Sequence, residues 1–151
     1  LLVLFSLRTI ERINDWKNGL TLYSRDILYS RNSFDLENNL GVELFRKGDT
    51  DQARVHFEKS TELAPTWWVN WNNLGATYER NGDNKTAKIY YEKALKNGDY
   101  YLAYPNYAGI LIKLNQYQKA RDFLRDNAMR KFPYNATLIR MYEYLHGMGY
   151  N

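Results

Sequence analysis

The chain contains one pattern twice, as FDLENNLGVELFRKGDTDQARVHFEKS at residues 34–60 and as WVNWNNLGATYERNGDNKTAKIYYEKA at residues 68–94. A Leu-Gly pair, a Gly-Asp pair, an alanine and a large aromatic residue occupy the same places in both copies, thirty-four positions apart. A fixed period of this size is typical of stacked helical units and not of one irregular core. The pattern therefore predicts an all-α solenoid.

Each copy is predicted to form two short antiparallel helices, A and B. Trp71, Leu74, Gly75 and Tyr78 are spaced at i, i+3, i+4 and i+7, which places them on one face of helix A. Glycine costs about 1 kcal/mol in a helix interior. We therefore expect Gly75, and Gly41 in the first copy, to let helix B approach closely.

The helix ends are also predicted by local chemistry. The sequences RKGD at residues 46–49 and RNGD at residues 80–83 are the expected turns between helices A and B. Their glycines can adopt the left-handed conformation that ends a helix, and basic residues in a last turn suit the helix dipole. Ser33 and Thr66 are the predicted N-caps of the first and second copies.

The second copy matches the motif W-x2-L-G-x2-Y followed by A-x3-F, with tyrosine at the last place. On these residues the chain resembles the tetratricopeptide repeat (TPR) family. The resemblance implies a right-handed α-solenoid of helix-turn-helix units with three full repeats, at residues 34–67, 68–100 and 101–134. Residues 1–33 would then be a degenerate N-terminal unit, and residues 135–151 a capping helix.

The third repeat is shifted, because Tyr107 and Ala120 follow their counterparts in the second repeat by thirty-three positions. We place the missing residue in the loop at residues 98–100. Pro105 then falls in the first turn of helix A, where the missing N–H is tolerated. Pro133 is expected to end helix B.

The composition excludes several classes of site. The chain has 151 residues and no cysteine, which excludes disulfides and thiolate metal sites. The net charge of +4 is too small to indicate a polyanionic partner. Arg121, Arg125, Arg130 and Lys131 are the nearest approach to a basic stripe, and they are expected on helix B, which mostly lines the convex side. No nucleic-acid partner is predicted.

No catalytic set is recognisable. His56 and His146 are the only histidines, and neither has the spacing of a metal-binding pair. His56 is expected to have a surface or packing role. The sequence thus predicts no enzyme activity, no metal site and no cofactor.

The N-terminal run Leu1–Leu7 is almost entirely apolar and too short to span a bilayer, which needs about 20 residues. It is either a buried or capping helix segment, or the end of a transmembrane helix followed by Arg8 and Arg12 at the membrane boundary. The sequence from Arg8 to Gly41 also resembles the junction between membrane and TPR parts in O-mannosyltransferase-like membrane glycosyltransferases, although Asp26 and Arg31 depart from that pattern. This resemblance implies a soluble, substrate-presenting domain with possible membrane association, whose active site lies outside the chain.

The TPR resemblance implies that helices A line a concave groove that binds a protein or an extended peptide. The groove positions in the family correspond here to Asn38, Asn39, Val42, Phe45 and Arg46 in repeat one; Val69, Asn72, Asn73, Ala76 and Arg80 in repeat two; and Asn106 and Lys113 in repeat three. Glu79 and Gly109 also occupy such positions.

Asn39, Asn73 and Asn106 share the sixth repeat position, and a row of amides can follow an extended backbone. The two-Lys, one-Arg, two-Asn clamp with which some TPR domains bind chaperone C-termini is matched only by Asn73. The leading prediction is a non-catalytic scaffold. Self-association through an incomplete C-terminal end is an alternative.

Overall fold

The computed structural model describes residues 18–150, and these form eight helices without any strand. The first three are α1 (Gly19–Tyr29), α2 (Phe34–Lys47) and α3 (Thr50–Leu63). They are followed by α4 (Trp68–Arg80), α5 (Asn84–Asn97), α6 (Ala103–Lys113), α7 (Tyr117–Phe123) and α8 (Ala136–Gly147). The helix α7 continues through a π-helical turn, Leu124–Ala128, and a last α-helical turn, Met129–Lys131. The predictions for the apolar N-terminal run and its flanking arginines lie outside the described residues.

The chain divides into two compact units, Leu1–Pro65 and Thr66–Asn151. In the first unit α2 and α3 form a hairpin, and α1 packs on α2. In the second unit the hairpins α4/α5 and α6/α7 follow one another through contacts between α5 and α6, and α8 packs on the second hairpin. The predicted all-α fold of helix-turn-helix units is confirmed.

The A-to-B turns have the predicted geometry. Gly48 and Gly82 have φ angles of 95° and 85°, in the left-handed region where glycine carries no Cβ penalty. Each is followed by an aspartate that caps the next helix: Asp49 accepts a hydrogen bond from the Gln52 N–H at 3.2 Å. Asp83 accepts one from the Thr86 N–H at 3.0 Å.

The starts of the helices A agree with one of the two predicted caps. Ser33 caps α2, with its Oγ 3.5 Å from the Leu36 nitrogen. The prediction of Thr66 as the cap of α4 is wrong, because Trp67 occupies the N-cap position and makes no side-chain capping bond. The indole ring has no acceptor for a backbone N–H, so α4 begins without this stabilisation.

The two repeat glycines lie against aromatic rings of helix B. A Cβ atom added to Gly41 would lie 2.7 Å from a ring carbon of Phe57, and one added to Gly75 would lie 2.7 Å from a ring carbon of Tyr91. Both rings are 1% exposed. The close approach predicted from the sequence is therefore present in both hairpins, and each glycine makes room for one buried ring.

The residue that repeat three lacks is missing from its helix A. We had placed it in the preceding loop on the basis of the sequence, and that placement is wrong. The connection at residues 98–102 is one residue longer than the connection at residues 64–67. The helix α6 instead begins at Ala103, late relative to the repeat pattern. Pro105 explains this start, because it cannot donate an N–H to the carbonyl of Tyr101, and a helix that began earlier would require that bond.

The π-helical turn in α7 restores the register that repeat three had lost. In α5 the buried residues Ala87, Tyr91 and Ala94 are separated by four and then three positions. In α7 and its π turn the buried residues are Ala120, Leu124 and Ala128, separated by four and four. The π turn adds one residue to the helix, so Ala128 follows Ala94 by thirty-four positions, although Leu124 follows Tyr91 by thirty-three.

The helix α8 packs on the hairpin α6/α7 through one apolar side. Leu138 and Leu145 are fully buried, and Met141 and Tyr142 pack against the same cluster. That cluster also contains Ala108, Leu124 and other residues of α6 and α7. The core of the second unit therefore continues from the hairpin α6/α7 into α8.

Candidate functional site

Two neighbouring helices A of the second unit present a surface of polar and small residues. We call it the α4/α6 face, and it is formed by Asn72, Asn73, Ala76 and Glu79 of α4 with Asn106, Gly109 and Lys113 of α6. The members on each helix are spaced by about one helical turn, so they lie on one side of it. Two polar bridges between the helices hold this surface together.

The first bridge joins two asparagines. The Nδ2 of Asn106 donates a hydrogen bond to the Oδ1 of Asn72 at 2.9 Å. Asn72 is 4% exposed, so it acts as a buried support for Asn106. The bond uses one of the two N–H groups of Asn106, and no bond to another described residue occupies its oxygen.

The second bridge is centred on Glu79. Its Oε1 accepts from the Nζ of Lys113 at 2.6 Å, and its Oε2 accepts from the Tyr91 hydroxyl at 2.5 Å. Burial and the adjacent Glu79 raise the pKa of Tyr91 well above its ordinary value, so the phenol stays protonated as a donor. The carboxylate is thereby fixed from both sides, and Lys113 is held over the face.

Small residues lie between the two bridges. Ala76 is half-buried on α4, and Gly109 is half-buried on α6. A Cβ atom added to Gly109 would meet only the Cε of Met141, at 3.8 Å. The two small residues form the floor of the face between its polar bridges.

The other predicted groove residues differ in accessibility. In the first unit Asn38 is 5% exposed, whereas Asn39, Val42 and Phe45 are half-buried. Arg46 is exposed and pairs with Glu43 at 2.8 Å. In the second unit Val69 is half-buried and Arg80 is exposed.

The sequence did not predict these bridges. Glu79 and Lys113 have opposite charges and are separated by thirty-four positions, a spacing that sets them on neighbouring helices A in a repeat protein. From this spacing of opposite charges the ion pair could have been predicted. His56, for which a surface or packing role was expected, lies with its Nδ1 2.7 Å from the Oε2 of Glu37, a buried residue of α2.

Residues 18–150 contain no group of three or more His, Asp or Glu side chains arranged to hold a metal ion. None of the helices in this range is both long and apolar enough to cross a lipid bilayer.

Comparison with known families identifies the repeats. A model of the tetratricopeptide repeat family matches residues 38–66 and 70–97. These two segments are therefore similar to tetratricopeptide repeats, in agreement with the resemblance seen in the sequence. No curated protein sequence matches the chain significantly. The predicted parentage in a membrane glycosyltransferase receives no support from these comparisons.

Three solved structures with the same fold illustrate the similarity, and two of them are described as TPR proteins. The first TPR of Spaghetti (RPAP3), bound to the HSP90 peptide SRMEEVD, has a TM-score of 0.72 at 17% identity, covering 78% of this chain and 96% of that one. YrrB, a TPR protein with an unusual peptide-binding site, has a TM-score of 0.72 at 19% identity, with 82% of this chain and 63% of that one covered. The N-terminal domain of stress-induced protein-1 from C. elegans has a TM-score of 0.66 at 24% identity, covering 75% and 94%. These similarities confirm the TPR solenoid fold.

Proposed function

We propose that the chain is a non-catalytic scaffold that binds an extended segment of a partner protein, and that in its second unit the segment lies along the α4/α6 face. The observation that carries this proposal is the low floor of Ala76 and Gly109 between the Asn72–Asn106 and Glu79–Lys113 bridges. A backbone can lie on small residues, whereas bulky side chains there would prevent it. Structures of the same fold include one bound to a peptide and one described by its peptide-binding site.

The polar groups of the face suit recognition of a main chain. An asparagine amide can accept from a peptide N–H and donate to a peptide C=O at the same time. Asn73 is half-buried beside the bridges, and the fixed Asn106 lies on the neighbouring helix. The charge of Lys113 is neutralised by its ion pair with Glu79, so recognition rests on the amides. The face therefore favours the main chain of an extended segment.

Selection of a displayed library of unstructured peptides on the purified chain tests the proposal, followed by calorimetry with the best peptide. Asn73→Ala should weaken that peptide by about fivefold, because it removes one amide hydrogen bond to the peptide worth about 1 kcal/mol. Gly109→Trp should abolish measurable binding by filling the floor. Asn127→Ala is the matched control, since Asn127 is an exposed asparagine on the π turn of α7.

The melting temperature of each variant establishes that it is folded before its affinity is compared. Failure to select any peptide argues against a peptide-binding scaffold. A selected peptide that binds Gly109→Trp as tightly as the wild type would show that the ligand lies elsewhere than on the α4/α6 face.

The chaperone C-terminal peptides bound by some proteins of this fold are not expected to be ligands here. Asn38, Val42, Leu102 and Asn106 stand where the clamp requires Lys, Asn, Lys and Arg, and Asn38 is 5% exposed. Without these charges the carboxylates of the peptide lose the charge-assisted bonds that hold them. Calorimetric titration with the peptide SRMEEVD should give no measurable heat. A micromolar dissociation constant would contradict this prediction.

A further inference from the structure

The second unit contains a cleft on the side of its helices B. It has a volume of about 450 Å³ and is lined by Glu92, Leu95 and Lys96 of α5, Tyr107 of α6 and Phe123 of α7. Cavities that hold small ligands or anchoring side chains have volumes of roughly 300–1,000 Å³. None of the lining residues belongs to the α4/α6 face, so the cleft is a separate feature of the same unit.

The floor of the cleft is apolar and rigid. Leu95, Tyr107 and Phe123 all pack against the buried cluster of the unit. The rings of Tyr107 and Phe123 meet edge to face with their centroids 4.8 Å apart. The Tyr107 hydroxyl donates to Glu92 at 2.8 Å, which fixes its ring. An entering aromatic or aliphatic side chain would thus meet a prearranged apolar surface.

The two charged residues that line the cleft differ in whether their charge is paired. The Oε1 of Glu92 accepts from the Tyr107 hydroxyl, and its charge is balanced by Lys88 at 3.2 Å. Lys96 is exposed, and its ammonium makes no hydrogen bond or ion pair with any described residue. The available charge at the cleft is therefore positive.

Each of the two helices B around the cleft has an excess of basic over acidic residues. Four lysines and one glutamate give α5 a net charge of +3. Five basic and two acidic residues give the stretch 117–131 a net charge of +3 as well. Together they exceed the net charge of +4 of the whole chain, so the rest of the molecule is net acidic. Such an asymmetry attracts and orients an acidic partner.

We propose that this cleft is a second docking site, for an acidic segment of a partner protein that inserts one large apolar side chain between Leu95, Tyr107 and Phe123 and sets a neighbouring carboxylate on Lys96. The apolar floor accounts for the anchoring side chain, since aromatic side chains buried at an interface dominate its binding energy. The unpaired ammonium beside that floor accounts for the carboxylate. The net charge of the two helices favours an acidic segment over a basic one.

A nucleic acid is the weaker candidate. Base stacking needs aromatic faces that are open to the strand. Here Tyr107 and Phe123 are engaged with each other, and Phe123 also stacks on Tyr104 with centroids 5.8 Å apart. One apolar side chain can enter such a floor from its edge, whereas successive bases cannot stack on it.

The probe is a short fluorescent peptide of Asp and Glu residues with a single central tryptophan, titrated against the full chain by fluorescence anisotropy. Replacing its tryptophan by alanine should weaken binding about thirtyfold. Lys96→Glu in the protein should weaken it about tenfold. A fluorescent single-stranded oligonucleotide, titrated in parallel, is expected not to respond to Lys96→Glu.

Lys85→Glu is the matched control, because it makes the same charge change on the same helix at an exposed residue about 16 Å away. That distance exceeds the screening length of about 8 Å at physiological salt, so the control should bind like the wild type. Equal losses from the two charge reversals would overturn the proposal, since they would indicate diffuse attraction without a site. Peptide binding that is indifferent to the tryptophan, or oligonucleotide binding that depends on Lys96, would overturn it as well.

Discussion

The hairpins α4/α5 and α6/α7 are built on the same pattern, yet they close their cores differently. In α4/α5 a glycine, Gly75, faces a large ring, Tyr91. At the equivalent places α6/α7 has Ala108 and Leu124, which lie in one buried cluster and are both 0% exposed. Compared with repeat two, the small residue of the pair in repeat three is larger and its partner is smaller. What the two repeats share is therefore the combined size of the pair, as close packing of interiors requires.

The two hairpins also differ in their backbones. The A-to-B turn of repeat two has Gly82 followed by a capping aspartate, whereas repeat three has Asn115 with a φ of 56° followed by Gln116, which makes no capping bond. The helix α5 is α-helical throughout, but α7 contains a π turn. Repeat three thus reaches a similar packing through a less regular backbone. Four changes to the protein or to its conditions test this difference between the repeats.

Deleting one residue from helix B should have the largest effect, and its size should depend on the repeat. Deletion of Lys93 rotates the rest of α5 by about 100° and removes Ala94 from the core, for a loss of about 3 kcal/mol or more of unfolding free energy. Deletion of Asn127 should convert the π turn to α-helix and give Ala128 the spacing that Ala94 has in α5, at a cost of about 1 kcal/mol. Urea unfolding followed by circular dichroism measures both. Lys93→Ala controls for the side chain, which lies 4.5 Å from the centre of the Trp71 ring. Equal losses from both deletions would contradict the role assigned to the π turn.

Adding one methyl group to Gly75 should show the size relation within repeat two. Gly75→Ala places a Cβ 2.7 Å from the buried Tyr91 ring and should cost about 2 kcal/mol. In a Tyr91→Leu background the same change should cost much less, because the pair then matches Ala108 and Leu124. Unfolding free energies of the four proteins in the double-mutant cycle give the coupling. Strictly additive costs would show that the two side chains do not compete for the same space.

Alkaline pH should destabilise repeat two through Tyr91. Its pKa in the folded chain is raised by burial and by Glu79, so the folded state keeps a proton that the unfolded state loses above about pH 10. The stabilisation is complete below that pH and falls by about 1.4 kcal/mol per pH unit as the pH rises further. Tyr91→Phe should reduce the alkaline slope by one proton, whereas Tyr104 and Tyr107 of repeat three, whose pKa values are also raised by burial, keep their own contributions. Urea unfolding between pH 9 and about pH 11 is the measurement. An unchanged slope in the variant would refute the assignment.

Exchanging the turn residues should produce the smallest effect. Asn115→Gly should raise the unfolding free energy by roughly 0.5 kcal/mol, because glycine adopts the left-handed region without the Cβ penalty that asparagine partly bears. Gly82→Asn should lower it by a similar amount. Thermal unfolding of the two single variants and of the exchange tests this. A loss of stability in Asn115→Gly would show that the asparagine side chain, bonded by the Tyr117 hydroxyl at 2.7 Å, outweighs the backbone strain.

The sequence was sufficient for the features that repeat. The period of thirty-four predicted the hairpins, the glycines that receive Phe57 and Tyr91, and the turns at Gly48 and Gly82. The sequence was insufficient for features that occur in only one repeat. Thr66 has the chemistry of a helix cap, but the helix begins one residue later than that cap allows. The π turn was not predicted either, because one extra residue in a helix does not change its composition.

The candidate site divides in the same way. The repeat pattern correctly predicted that Asn73, Asn106 and Lys113 lie on helices A. They did not show that Asn72 is buried beneath Asn106, or that Glu79 is held between Lys113 and Tyr91. The cleft lined by Leu95, Tyr107 and Phe123 had no sequence signal, since its residues come from three different helices.

The formation of two-helix units follows from the sequence alone, because the spacing of apolar residues along one helix is a local property that is present in every repeat. Which polar groups are buried, which charges are neutralised and where open space remains depend on how the helices pack. Those outcomes depend on distances between side chains of different helices. They are set when the helices pack, and no single stretch of the sequence contains them.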